Sequence, residues 1–266
     1  MFFNMSGSSN CIDVIVPVFN GRDTIVEALQ SALAQDGRVL NKIFVIDDGS
    51  TDGTPDVVSA LDNEKIHLIL TLNSGVAAAR NRGIKESSAQ WVAFMDADDV
   101  WVKEKLVIQL NAAAATSSGF VCGAVNGVPV MPSKQISLLS LWNGNFVATS
   151  TVLVKREVLL QVLPVFNKDM AFAEDYLAWI KCLMLTNGYY VSENLATYNL
   201  SEVPRYTWRV ILKNIIRLNI ESTSFLWSGH FSLFLKIIFP FIQLAGSCSS
   251  LFSIAKRFFN ARQNPG

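Results

Sequence analysis

The sequence predicts an α/β fold: a Rossmann-like sandwich with a mixed, mostly parallel sheet, followed by C-terminal apolar and basic helices. Three observations carry this. Short β-branched runs alternate with helical periodicity three times within the first hundred residues, which is the pattern of right-handed βαβ units. Polar tips rich in Asn, Asp and Gly close these runs. The charge then changes sign along the chain. Residues 1–204 carry 14 Lys and Arg against 21 Asp and Glu, whereas residues 205–266 carry eight basic residues and one acid, Glu221.

Ile12 to Val18 is a buried-strand pattern ended by Asn20-Gly21. Asp23 or Thr24 can cap a helix reaching about Gln35, with Ile25, Ala28, Leu29, Ala32 and Leu33 on one face. Lys42 to Ile46 is a second strand, ending in Asp47-Asp48-Gly49-Ser50, and a helix follows Thr54-Pro55. Ile66 to Leu70 reads as a third strand, Ala77 to Lys85 as a third helix, and Trp91 to Met95 as a fourth strand ending in Asp96-Ala97-Asp98-Asp99. Beyond a helix over Leu106 to Ala115 the pattern is less regular. Phe120 to Val125, Phe146 to Val154 and Tyr189 to Tyr198 read as strands, and Phe172 to Leu185 as a helix opening on Glu174-Asp175. The division expected is 1–204 as one catalytic domain (about 12–106 and 107–204 as its halves) and 205–266 as a helical, membrane-associating region.

Composition narrows the function. The 266 residues are 50% hydrophobic and 17% charged, with a formal net charge of zero. Disorder is excluded, since it needs low hydrophobicity and high net charge. No clean apolar run of membrane-spanning length lies in the first 200 residues, and a neutral chain offers no general attraction to nucleic acid. Cys11, Cys122, Cys182 and Cys248 are scattered, with no Cys-x-x-Cys, which fits a reducing compartment. Met1 to Cys11 lacks the basic and apolar regions of a secretory signal. The expected setting is cytoplasmic.

In parallel sheets, ligands bind beyond the C-terminal strand ends, and the acids fall there. Asp96-x-Asp98 can present two carboxylates, and hard divalent cations take one or two carboxylates together with substrate phosphates. A plain acidic turn capping the next helix is the alternative. Asp47-Asp48 can accept from a base or ribose, or can serve turn chemistry. Arg80, on a helix that follows Asn73-Ser74-Gly75, can face phosphate. His67 and His230, the only histidines, lie in strand-like and oily contexts and read as structural.

Pro17-Val18-Phe19-Asn20, Asp47-Asp48-Gly49-Ser50-Thr51-Asp52, Asn73-x-Gly75 with Ala79-Arg80-Asn81-x-Gly83, and Asp96-x-Asp98-Asp99 occur in this order over roughly Ile12 to Leu106. Together they closely resemble the nucleotide-sugar half of the inverting family 2 glycosyltransferases, which have the GT-A fold. Glu174-Asp175 with Trp179 resembles that family's acceptor-side motif. The resemblance implies that Pro17, Phe19 and Asn20 line the nucleotide, that Asp48 with Asp47 bonds the base, and that Arg80 sits near base or phosphates. Asp96 would hold the ribose, and Asp98 would ligate Mn²⁺ or Mg²⁺ at the diphosphate. Asp175 would be the general base and Glu174 its orienter. The donor implied is a nucleoside-diphosphate sugar of the UDP kind. The acceptor is a glycan or a polyprenyl-diphosphate-linked saccharide of a bacterial surface polysaccharide such as O-antigen or capsule. After the late tyrosine strand the family leads one to expect an Arg and often a His. Tyr198-Asn199-Leu200 has neither, and Arg205 is the candidate substitute.

The rival readings are a sugar-phosphate nucleotidyltransferase, which would need a Gly-rich basic loop that Asn20-Gly21-Arg22-Asp23 does not supply, and a non-catalytic nucleotide-sugar-binding scaffold. Residues 237–255 are an uncharged run of 19 bounded by Lys236 and Lys256-Arg257. Their length suits a span, but Pro240, Gln243 and several serines interrupt it. In-plane anchoring at an anionic inner leaflet, insertion, and packing within the protein all remain open.

Overall fold

A computed structural model describes residues 11–143, 145–170 and 173–198. The tail from residue 199 onward lies outside the described residues, as do Arg205, His230, Cys248 and the 237–255 run.

Among the described residues, nine strands form one mixed sheet. They are β1 (Ile12–Val18), β2 (Leu40–Asp47), β3 (Ile66–Leu70), β4 (Trp91–Phe94), β5 (Val100–Trp101), β6 (Phe120–Val125), β7 (Lys134–Ile136), β8 (Leu153–Lys155) and β9 (Gly188–Thr197). The spatial order is β3-β2-β1-β4-β8-β6-β9-β5, with β7 paired to β9. The first four strands are parallel, and β8 runs antiparallel between β4 and β6. The helices are α1 (Ile25–Leu33), α2 (Thr54–Ser59), α3 (Val76–Glu86), α4 (Lys105–Thr116), α5 (Arg156–Gln161) and α6 (Glu174–Leu185).

The period-2 alternation of β1 divides the core. Ile12, Val14, Val16 and Val18 face one layer, built with Ile25, Leu29 of α1, Val58 of α2 and Leu106 of α4. Ile15 faces the other, with Ile84 of α3, Leu159 of α5 and Trp179 of α6. Trp179 is fully buried among Phe94, Phe120 and Phe166, with ring centroids 5.5–5.6 Å away; such aromatic groupings add to area burial. Pro17 sits past the part of β1 that pairs with β4, which stops at Ile15, so its missing N–H costs that ladder nothing.

Asp13 interrupts the apolar run of β1 yet is fully buried. It accepts from the Ser87 hydroxyl, the Ser88 and Ala89 N–H groups and the Asn41 amide. One carboxylate thereby ties β1, β2 and the end of α3 together. Close packing also fixes Gly83: a Cβ there would lie 2.5 Å from Ile15.

Three expectations are corrected. Phe146 to Val154 is not one strand. Thr149–Thr151 forms a 3-10 turn and only Leu153–Lys155 pairs in the sheet, because the Thr151 hydroxyl turns back to the Ala148 carbonyl, a local bond that competes with sheet pairing. The helix placed from Phe172 begins at Glu174, after Ala173 with φ +60°. Neither Asp23 nor Thr24 caps α1 through its side chain; Thr24 is the N-cap residue without such a bond.

Candidate active site

The order β3-β2-β1-β4 has its topological switch point between β1 and β4, where such sheets open a crevice. The loops after β1, β2 and β4 meet there. Asn20 N–H donates to the Ser50 hydroxyl at 2.8 Å, and Asn20 Oδ1 accepts from Thr51 N–H at 2.8 Å. Gly21 N–H donates to Thr54 Oγ1, and Arg22 N–H to Asp52. The loop after β1 is thus fastened to the loop after β2, leaving Phe19 half exposed on the rim. Pro17 is buried at the end of β1.

Asp47 and Asp48 are both buried, and their carboxylates build the loop. Asp47 Oδ1 accepts from Gly49 and Ser50 N–H, and Gly49 takes φ +84°, which an L side chain resists. Asp47 Oδ2 has no partner among the described residues. Asp48 accepts from Ser74 N–H at 2.9 Å and Gly75 N–H at 2.7 Å, fixing the entry to α3.

Arg80 reaches the same crevice. It is 5% exposed, clamped between Asp96 at 2.7 Å and Glu174 at 2.8 Å. Its guanidinium lies over the Phe166 ring at 5.3 Å. Burial opposes the charge, but Asp96, Glu174 and then Asp175 outweigh it and hold the Arg80 pKa above its ordinary value. One arginine therefore joins the acid at the end of β4 to the first turn of α6.

Beneath Asp96 lies a hydroxyl that sequence reasoning missed. Ser150 Oγ accepts from Asp96 N–H and bonds the buried Asp99 carboxylate. Trp101 Nε1 donates to the Ser150 carbonyl. Asp98, between these fixed neighbours, has interactions of its own. No group of three or more His, Cys, Asp or Glu is gathered for a metal among the described residues. The acids present fit a hard cation held by one or two carboxylates and a ligand's phosphates, rather than a closed protein cage.

Asp175 occupies the first turn of α6. Its oxygens accept from the Thr149 hydroxyl at 3.1 Å and Tyr176 N–H at 2.6 Å. Burial, then the adjacent Glu174 charge, push it up to about 6 against the pull of Arg80 and the two donors. Tyr198 shares this environment: burial, followed by the charges of Asp96, Asp99, Asp175 and Asp98, pushes its phenol up to about 12. Thr149, Ser150 and Tyr198 gather around the acids from distant segments. The Thr149-Ser150-Thr151 run was the one sequence signal for the first two. His67 packs beside Phe44, centroids 5.6 Å apart.

A sheet of this order, with acids at its switch point and a carboxylate facing them from α6, has the architecture of a GT-A glycosyltransferase. The family model of glycosyl transferase family 2 matches residues 13–157, and the chain belongs to that family. It is 29% identical over 218 residues to a putative teichuronic acid biosynthesis glycosyltransferase, TuaG, of Bacillus subtilis, covering 76% of this chain and 84% of that one. It is 28% identical over 186 residues to WfgD of Escherichia coli, named a UDP-Glc:alpha-D-GlcNAc-diphosphoundecaprenol beta-1,3-glucosyltransferase, covering 66% and 71%. The fold is also that of S. aureus TarS residues 1–349 in complex with UDP-GlcNAc, with TM-score 0.71 and 20% identity over 85% of this chain and 69% of that one. Family membership sets aside the nucleotidyltransferase and scaffold readings: the protein is a glycosyltransferase.

Proposed function

We propose that the protein transfers a sugar, with inversion, from a UDP-sugar to a hydroxyl of a lipid-linked saccharide in the assembly of a bacterial surface polysaccharide. The observation that carries this is Asp175, a carboxylate pushed up to about 6 and joined through Glu174 and Arg80 to Asp96. A sugar hydroxyl is a poor nucleophile, and a positioned base with a pKa near working pH speeds its attack. Asp175 takes the proton of the acceptor hydroxyl as it attacks the anomeric carbon. Thr149 and Tyr176 N–H hold the carboxylate in place. Glu174, fixed by Arg80, sets the helix end and keeps the base's pKa high.

On the donor side, Phe19 offers an exposed ring to the base, with Pro17, Asn20, Asp47 and Asp48 shaping the loops that frame it. Asp96 reaches the ribose. Asp98 would hold Mn²⁺ or Mg²⁺, which when bound draws off charge from the leaving diphosphate. The relatives named for diphosphoundecaprenol acceptors and teichuronic acid support the acceptor class. The basic, oily 205–266 segment supports a peripheral position on an anionic inner leaflet.

The test is Asp175→Asn, assayed with a panel of UDP-sugars and a GlcNAc-diphospholipid acceptor. Turnover should fall by about a thousandfold or more, as for loss of a general base, while UDP binding stays. Turnover within a few-fold of wild type would overturn the assignment.

A further inference from the structure

Lys105, the first residue of α4, is fully buried and has no part in the chemistry proposed above. An ammonium is better solvated by water than by a protein interior, and burial pushes the Lys105 pKa well below the ordinary lysine value. Its Nζ donates to Gln109 Oε1 at 2.7 Å. The same atom lies 3.9 Å from the centroid of the Trp101 ring, where a ring face attracts a cation. Gln109 Nε2 in turn donates to the Thr151 carbonyl at 2.6 Å and the Val121 carbonyl at 3.1 Å. Trp101 Nε1 donates to the Ser150 carbonyl at 2.8 Å. The two neighbours of the lysine therefore grip consecutive carbonyls of the Thr149–Thr151 turn. The segment that carries them is itself tied to the end of α1, because Gln35 Nε2 donates to the Val102 carbonyl at 2.9 Å and Gln35 Oε1 accepts from Leu106 N–H at 3.1 Å.

That turn joins the two sides of the site. Thr149 Oγ1 donates to Asp175 at 3.1 Å on one side, and Ser150 Oγ accepts from Asp96 N–H at 2.9 Å on the other. A methionine would fill the space of Lys105 without the cost of desolvating an amine, but it would leave Gln109 and Trp101 unlinked. Packing alone does not account for the amine, whereas a connected buried network holds its members in one arrangement. We propose that Lys105 is a positioning residue: by linking Gln109 to Trp101 beneath the 149–151 turn, it sets the placement of Asp175 relative to Asp96. This inference rests on Asp175 being the base.

The experiment compares Lys105→Met with the wild type and with Asp175→Asn, in the full chain, with Mn²⁺, the panel of UDP-sugars and the GlcNAc-diphospholipid acceptor. Methionine keeps the length of the lysine stem and removes the amine. The loops proposed to frame the nucleotide follow β1 and β2, outside this network. The KM for the UDP-sugar should therefore stay within about twofold of wild type, and UDP should raise the melting temperature as it does in the wild type. The kcat should fall about tenfold or more, the scale set by a small misplacement of reacting groups. Trp101→Phe keeps a ring beside Lys105 and removes the N–H to Ser150; it should show the same split, and it decides the matter if Lys105→Met does not fold. Wild-type kcat in folded Lys105→Met, with Asp175→Asn inactive, overturns this inference alone. A raised KM with a lost UDP response also overturns it, because that marks a general structural loss. Turnover retained by Asp175→Asn overturns the base assignment and this inference with it.

Discussion

At Asp175, burial and the charge of Glu174 both oppose ionisation, while Arg80 and two hydrogen-bond donors favour it, leaving the carboxyl at about 6. The proposed role as base requires the ionised form, so kcat should rise with pH through about 6 and level off above it. The sign for stability is the reverse. Between the ordinary aspartate range and about 6 the folded state binds more protons than the unfolded one, so stability falls as pH rises through that window. Asp175→Asn should therefore melt no lower than wild type at pH 7.5 while losing turnover. Calorimetric scans at pH 5 and 7.5 check this. Arg80 carries the opposite expectation. Arg80→Met leaves Asp96 and Glu174 facing each other without their shared cation, and removing one partner of a buried ion pair costs about 3–5 kcal/mol, readable by denaturant titration. The acids at the strand ends were legible because each breaks an apolar run. The seat of Arg80 was not, because Asp96 and Glu174 lie 16 and 94 residues away, and no local pattern says that a helical arginine turns inward.

Elements set these residues in place through a few close contacts. Gly83 lets α3 lie against Ile15 of β1, and Gly83→Ala forces a Cβ to 2.5 Å from that side chain. Overpacking of this kind costs about 1–3 kcal/mol, and since α3 carries Arg80, the variant should lose activity along with stability. Asp13→Ala would strand the Ser87 hydroxyl and the Ala89 N–H in the interior, costing about 1–3 kcal/mol for each donor left buried without a partner. The βαβ repeats over Ile12–Phe94 follow from periodicity, so their strands and helices were readable to within a residue or two. The acceptor side was harder. β-Branched Thr149 and Thr151 read as strand, yet their hydroxyls and that of Ser150 bond locally and to Asp175 and Asp99, turning the segment into the support of the site. Side chains that trade sheet pairing for such bonds cannot be told from strand residues by composition.

The described residues place one sheet between two helical layers and open a crevice at the β1/β4 switch point. No helix among the described residues is long and apolar enough to cross a membrane. The proposed peripheral position rests on the basic composition of the segment beyond residue 204. A chain ending near Glu221 should lose binding to phosphatidylglycerol vesicles in a flotation assay, and unchanged binding would exclude residues 222–266 as the anchor. The most direct test of the central claim, a UDP-sugar crevice at Asp96 and Asp98 faced by Asp175, is the melting temperature with UDP, GDP, CDP and dTDP, each with and without Mn²⁺. Ligand binding to the native state raises it by mass action. UDP should raise the melting point of the wild type and of Asp175→Asn alike, more with Mn²⁺, and the metal increment should vanish in Asp98→Ala. A well-folded wild type that responds to no nucleotide, or an Asp98→Ala variant that keeps the full Mn²⁺ increment, would contradict it.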